Sequence, residues 1–452
     1  MANPKILFSN PPWWGEREMI QDDRGELQTR CWSGARAGSR WPHTFAVTSS
    51  PDNFRYGNYL PYPFFMGYAA SYVQKKSGAA VRMRDSLALA ESYRSYLEHL
   101  EEERYDYIFI ESATTSWEHD AQLLRRIKSV SPESRIVITG PVWVQGEAIL
   151  AEQPVHAVIK GEYEKGALKV LNGACGMIEF DLLTPEEMNA APFPYYDDTI
   201  ALRYFDCNPK GMLLPHLQAW SSRGCPFKCI FCVWPSTMTG NDPDGTGQRT
   251  VRYYSKEYME EFLLHMTRRY PYRSVYFDDD TFNLGNRHVR EICEVMRKVG
   301  IPWSAMCRSD TISKECWRDM KESGCFGVKI GFESGNQHVV DNIVNKHIDL
   351  EQAREVIHYI KGLGMTVHGT FTYGLPGETA KQMEDTKRFI ASLPFDTYQE
   401  SGCAEIDGTP LHHVAQHGAN EVYPGATITA EYRRGLDGSK KWREMIAKME
   451  ME

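Results

Sequence analysis

Three cysteines spaced C-x3-C-x2-C in Ser222-Arg223-Gly224-Cys225-Pro226-Phe227-Lys228-Cys229-Ile230-Phe231-Cys232 constrain this chain more than any other stretch. Thiols so close in sequence share one tight loop, and thiolates gathered in this way form a metal site. The loop follows a short apolar segment. The number of ligands then limits the metal. Structural zinc takes four protein ligands, commonly two separated pairs of Cys or His, and Cys207 and His216 lack that spacing. A cubane iron–sulfur cluster can be held by three thiolates, which leaves its fourth iron open to a small molecule and sets it apart from four-cysteine electron carriers.

A chain of 452 residues, 42% of them hydrophobic, is long enough for two cores and an appendage. Its 51 basic and 60 acidic residues give a formal charge of -9. That balance offers no general attraction to phosphate backbones or anionic lipid, so neither nucleic acid nor membrane is expected as a partner. No apolar run reaches the roughly 20 residues needed to cross a bilayer, and Met1 to Asn10 lacks a secretory pattern. A cytoplasmic protein is expected. The eleven cysteines are odd in number and, outside the trio, scattered, which fits reduced thiols better than a disulfide framework.

The first 195 residues alternate between strand and helix. Lys5-Ile6-Leu7-Phe8-Ser9 reads as a buried strand stopped by Asn10-Pro11-Pro12. Further strands are expected at residues 80–83, 107–110, 135–138 and 155–159, with helices at 64–76, 90–103 and 118–129. Five strands separated by helices imply a doubly wound parallel sheet. Ligands bind such sheets at the carboxyl ends of the strands. Those ends carry Pro11, Pro12 and Trp13; Ser112, Thr114 and Thr115; Gly140 and Pro141; and Gly161 and Glu162. Residues 15–60 form an insertion too long for a simple connection and rich in aromatic side chains. His119 reads as an exposed histidine at a helix start.

Proline-rich Ala190-Ala191-Pro192-Phe193-Pro194-Tyr195 closes this pattern, and a second one fills residues 196–410. Strand-like runs recur near 217–221, 274–278, 302–307, 327–332, 366–373 and 397–403, with a helix between each pair. Six such units suit a partial (β/α)6 barrel of the TIM type, whose chemistry sits at the carboxyl ends of the strands. There lie Asp278-Asp279-Asp280 after the second strand and Arg308 after the third. Gly331-Phe332-Glu333-Ser334 follows on the fourth, Gly374-Leu375-Pro376-Gly377-Glu378-Thr379 on the fifth, and Asp407-Gly408-Thr409-Pro410-Leu411 closes the series. Thr379 is placed to cap the next helix. Arg308 has a bland alternative, pairing with Asp278 or Asp310. Residues 411–452 read as a helical tail with His412, His413 and His417 but no metal-ligand spacing.

The cysteine spacing with Phe231 before the last thiol, followed by these elements in this order, resembles the radical S-adenosylmethionine (SAM) enzymes. The preceding strand-Asn-Pro-Pro, Thr-Gly-Pro and Gly-Glu segments are similar to the cobalamin-binding domain of the B12-dependent members. The Asp-x-His-x-x-Gly motif that supplies a cobalt-ligating histidine in other B12 enzymes is absent, as it is from many radical SAM members, so His119 is not expected on cobalt.

The resemblance implies a [4Fe-4S] cluster on Cys225, Cys229 and Cys232, and SAM bound by Phe231, Asp278, Asp279, Asp280, Arg308, Glu333, Ser334 and Gly374. It implies cobalamin at the strand ends of the first region. It further implies an electron donor such as flavodoxin or ferredoxin and a small-molecule or peptide substrate. The expected activity is methylation of an unactivated carbon after a 5'-deoxyadenosyl radical removes its hydrogen. A cobalamin-dependent cyclase or rearrangement enzyme, and a non-catalytic corrinoid carrier or sensor, remain as alternatives.

Overall fold

The computed structural model describes residues 3–21, 25, 27–33, 44–48, 54–56, 59–113, 116–233, 249–403, 406 and 408–417. Two compact units emerge. The first takes the described residues up to Leu183 together with Ala190–Asp206, and the second takes Thr184–Asn189 and those from Cys207 on. Thr114, Thr115, Asp407 and the tail beyond His417 lie outside the described residues.

The first unit is built on six parallel strands: β1 (Lys5–Asn10), β2 (Ala80–Asp85), β3 (Tyr107–Glu111), β4 (Arg135–Thr139), β5 (Ala157–Ile159) and β6 (Gly176–Ile178). Their spatial order is β6-β5-β4-β3-β1-β2. The sequence pattern contains five of these; β6 is three residues long and was not legible as a strand. Ile6, Leu7 and Phe8 are fully buried because helices cover both faces of the sheet. On one face Leu7, Ile108, Ile136 and Ile138 pack with Tyr96, Leu100, Leu124 and Ile127 from the helices Tyr93–Glu103 and Trp117–Val130. Burial of each such aliphatic side chain contributes about 2 kcal/mol. The helix Phe64–Ser77 ends at Gly78, whose φ of 67° lets its N–H reach the Gln74 carbonyl. In the insertion, Trp14–Gln21, Leu27–Ser33, Thr44–Thr48 and Phe54–Tyr56 pair in sequence as an antiparallel sheet.

The second unit also has six parallel strands: β7 (His216–Ala219), β8 (Ser274–Phe277), β9 (Trp303–Cys307), β10 (Cys325–Glu333), β11 (Thr366–Tyr373) and β12 (Thr397–Gly402). They lie side by side in chain order, which is the arrangement of an open barrel. Helices Lys256–Arg269, Asn286–Val299, Lys314–Glu322, Leu350–Gly362 and Ala380–Ala391 connect them. The inner face is polar. Lys329 of β10 lies over the Tyr276 ring of β8 at 5.4 Å, skipping the strand between, and His216 of β7 stacks on the same ring. These side chains share one face of the sheet. Thr379 caps Ala380–Ala391 in a full capping box with Gln382.

Candidate functional site

The cysteine loop leaves β7 through Ser221 and Ser222, and Ser222-Arg223 pairs with Arg252-Tyr253. Asp279, fully buried, fixes this entry by accepting the Ser221 N–H at 3.1 Å and the Ser221 and Ser222 hydroxyls at 2.8 and 2.6 Å. Its carboxyl is pushed up to about 6 by burial, against the opposing effect of those hydrogen bonds. Further along, the Ile230 N–H donates to the Val344 carbonyl at 2.9 Å, the Asn345 amide donates to the Lys228 carbonyl at 3.1 Å, and the Leu411 N–H donates to the Ile230 carbonyl at 2.7 Å. Arg249 donates to the Phe227 carbonyl. Cys225, Cys229 and Cys232 are free thiols, each partly exposed. Burial, then the charge of Asp280, pushes Cys225 up to about 11 and raises Cys232 as well. A metal binding there displaces protons. Three free thiols on one loop are a donor set that fits an iron–sulfur cluster.

Around this loop stand the strand ends. Phe231 packs with Cys229 and Cys403 against Val339, Ile343, Val344 and Leu375. Asp278 is buried, and its N–H donates to the Ala219 carbonyl at 2.9 Å. Asp280 is partly exposed. Arg308 makes a two-pronged pair with Asp310 at 2.9 and 2.8 Å, the bland pairing anticipated for it, while its guanidinium covers the Phe227 ring at 3.5 Å. Ser334 is fully buried and bonded to Thr386 at 3.0 Å, so it fastens the helix Ala380–Ala391. Gly374 has a φ of 73°, and a Cβ there would meet nothing within 4 Å, so the backbone faces open space. Its N–H donates to Glu378 at 2.9 Å.

Glu333 sits at a bulge. The β10–β11 register slips between Gly331 and Glu333, and Glu333 itself has a φ of 67°. A bulge of this kind re-aims a side chain. The Glu333 carboxylate accepts from Lys346 Nζ at 2.7 Å and from the Thr372 hydroxyl at 3.2 Å. Lys346 has no motif to mark it, and the sequence reading missed it. The faint signal is Asn345 beside it, since Asn tolerates left-handed backbone.

In the first unit, β1 and β3 adjoin in space while β2 lies beyond β1, so the order reverses at the β1/β3 ends, the place where sheets of this kind bind ligands. Pro11, Pro12, Trp13, Ser112, Gly140, Gly161 and Glu162 are buried at these strand ends, and Pro141 is partly buried. Gly140 is obligatory: a Cβ there would lie 2.4 Å from the Ser112 carbonyl oxygen. The indole N–H of Trp13, 1% exposed, has no hydrogen-bond acceptor among the described residues. A buried donor of that kind suits a polar ligand.

His119 is not exposed as expected but 2% accessible. The helix Trp117–Val130 begins against the sheet and turns His119 inward, where Nε2 meets the Tyr93 hydroxyl at 2.7 Å and Nδ1 meets Asp120 at 3.2 Å. Asp120 also accepts from Ser112 at 2.6 Å. Both ring nitrogens are engaged within the protein. No described helix is long and apolar enough to cross a membrane.

Residues 221–390 match the radical SAM superfamily. An uncharacterized methyltransferase, PH0819 of Pyrococcus horikoshii, is 28% identical over 377 residues, covering 78% of each chain. The solved radical SAM methyltransferase TsrM of Kitasatospora setae, with cobalamin and a [4Fe-4S] cluster bound, superposes with a TM-score of 0.62 at 12% identity, over 78% of this chain and 75% of its own. The cobalamin-dependent SAM radical enzyme OxsB, with aqua-cobalamin and SAM bound, gives 0.54 at 15% identity, over 93% and 68%. These two likenesses establish the shared fold, a doubly wound domain followed by a radical SAM barrel.

Proposed function

We propose, on the premise that residues 221–390 are a radical SAM domain in a chain resembling the cobalamin-dependent radical SAM enzymes, that this protein methylates an unactivated carbon of a small-molecule or peptide substrate. The observation that carries this reading is a loop of three free thiols at the head of six parallel strands, in one chain with a sheet whose order reverses at Trp13 and Ser112. When bound, the cluster with SAM supplies a carbon radical, and cobalamin supplies the methyl group.

The protein's own share is placement. Cys225, Cys229 and Cys232 hold the cluster. Asp278 and Asp280 give the SAM ammonium a carboxylate partner, Glu333 accepts from its ribose hydroxyls, and the open backbone at Gly374 receives the adenine. Asp279 and Ser334, with their polar atoms bonded inside the protein, position the loop and a helix and do not touch SAM. Trp13 and the loops at Ser112, Gly140 and Gly161 line the cobalamin crevice, with no protein histidine on cobalt. An electron donor such as flavodoxin or ferredoxin reduces the cluster.

The test is anaerobic turnover of the reconstituted protein with methyl-labelled SAM, a reductant and fractionated small-molecule and peptide extracts. One SAM makes the radical and a second recharges cobalamin, so labelled product should appear with equal amounts of 5'-deoxyadenosine and S-adenosylhomocysteine. An unlabelled, rearranged product with 5'-deoxyadenosine alone overturns methyl transfer and favours a cyclase.

A further inference from the structure

We propose that Lys346 is a positioning residue of the cysteine loop and the cation that raises the reduction potential of the cluster held there. The proposal rests on the reading that the three cysteines hold a [4Fe-4S] cluster.

Lys346 is 8% exposed and held by three partners. Its ammonium pairs with Glu333 at 2.7 Å, its carbonyl accepts from Arg308 Nη2 at 2.9 Å, and its N–H donates to the Val340 carbonyl at 2.9 Å. The preceding two residues hold the cysteine loop, through the Val344 carbonyl to Ile230 and the Asn345 amide to the Lys228 carbonyl. One short segment thus ties the ends of β9 and β10 to the loop between Cys225 and Cys232.

The backbone is built for this purpose. Asn345 has a φ of 59° and His347 a φ of 53°, so two non-glycine residues in the left-handed region flank Lys346. With Glu333 they make three of the five such residues in the described chain. Strain of this sort persists where surrounding contacts over-determine it, and it gathers at functional sites. Gly331 completes the fit, because a Cβ there would lie 2.5 Å from Glu333 Oε1 and 2.8 Å from Lys346 Nζ. A strained, tightly enclosed segment delivers an ammonium to a fixed place.

That place lies along the cysteine loop. Lys228 and Ile230, which Asn345 and Val344 hold, flank Cys229, so the segment that carries Lys346 runs beside that thiol. Reduction adds one electron, drawn from an external low-potential one-electron donor, and makes or breaks no bond. The loop and its cluster become one charge more negative. A nearby fixed cation favours that state, and burial strengthens the attraction relative to water. Glu333 opposes it.

The opposed charges give a test that simple loosening of the loop cannot imitate. The reconstituted full chain and its Lys346→Met, Lys346→Arg and Glu333→Gln variants are titrated by spectroelectrochemistry, with iron and sulfide counted in each. Lys346→Met should lower the reduced-to-oxidised ratio at fixed potential about tenfold, a shift of about 59 mV for one electron. Lys346→Arg should stay near wild type, and Glu333→Gln should shift the other way. A Lys346→Met variant that titrates with wild type, or Met and Gln variants that move together, overturns the proposal. If Lys346→Met does not retain iron, Glu333→Gln decides alone: a potential unmoved or lowered there overturns it. Wild-type protein that takes up no cluster overturns instead the reading of the cysteines.

Discussion

Replacing Asp279 with Asn isolates a single buried titration. In the folded chain this carboxyl keeps its proton to about pH 6, because burial outweighs the hydrogen bonds from Ser222 and Ser221; its ordinary value is 3.8. Between those values the folded state holds a proton that the unfolded state has released. Stability therefore falls as pH rises through the window: the contribution is full below the ordinary value and gone above about pH 6. Two units of separation amount to about 3 kcal/mol. Asn has nearly the same shape and does not titrate. His288, bonded to Ser221 at 2.9 Å and pushed down to about 4 by burial, is present in both proteins and cancels. Urea unfolding of the two full-length apo proteins under reducing conditions, followed by tryptophan fluorescence, should show wild type losing about 3 kcal/mol relative to the variant between about pH 4 and pH 6.5. A difference that stays flat with pH, or grows in favour of wild type, refutes the reasoning.

Other outcomes follow from the same geometry. Changing Cys225, Cys229 or Cys232 to Ala should abolish cluster iron and 5'-deoxyadenosine formation, checked by iron and sulfide analysis and chromatography; tightly bound zinc in the wild type would contradict this. Gly331→Ala should push apart the pair of Glu333 and Lys346 and weaken SAM binding about tenfold, or about 1.4 kcal/mol, in equilibrium dialysis. His119→Ala should leave the absorption spectrum of bound cobalamin unchanged while destabilising the first unit by about 1–3 kcal/mol, since Tyr93 and Asp120 lose their partner. A spectral shift there would place His119 on cobalt.

Much of the scaffold was legible because period and punctuation agree. The helix expected between the second and third strands of the second unit is Asn286–Val299, closed by Gly300 at a φ of 76°, and the six strands fall where apolar runs stand between helices. β6 was hidden because three residues just after the turn at Gly173 carry no period. The site was legible in identity more than in orientation. Nothing local tells Asp279 from Asp278 and Asp280, since the hydroxyls that claim it lie at Ser221 and Ser222, far off in the chain. His119 was misread for a related reason: the amphipathic pattern of its helix does not reveal that Tyr93, on another helix, awaits the first turn. Lys346 depends on backbone angles that no residue type specifies by itself.

Among the described residues the second sheet has six strands, and β7 and β12 do not pair with each other. A closed eight-stranded barrel is a tube, and its bore limits what can reach the centre. A six-stranded arc is a gutter. Its hollow, lined by Gln218, Tyr276, Lys329 and His368, is bounded on one flank by whatever lies along the gap and only elsewhere by its own wall. The seam between β7 and β12 is therefore the side of the hollow that these strands leave open, and what lies along it bounds what the hollow admits.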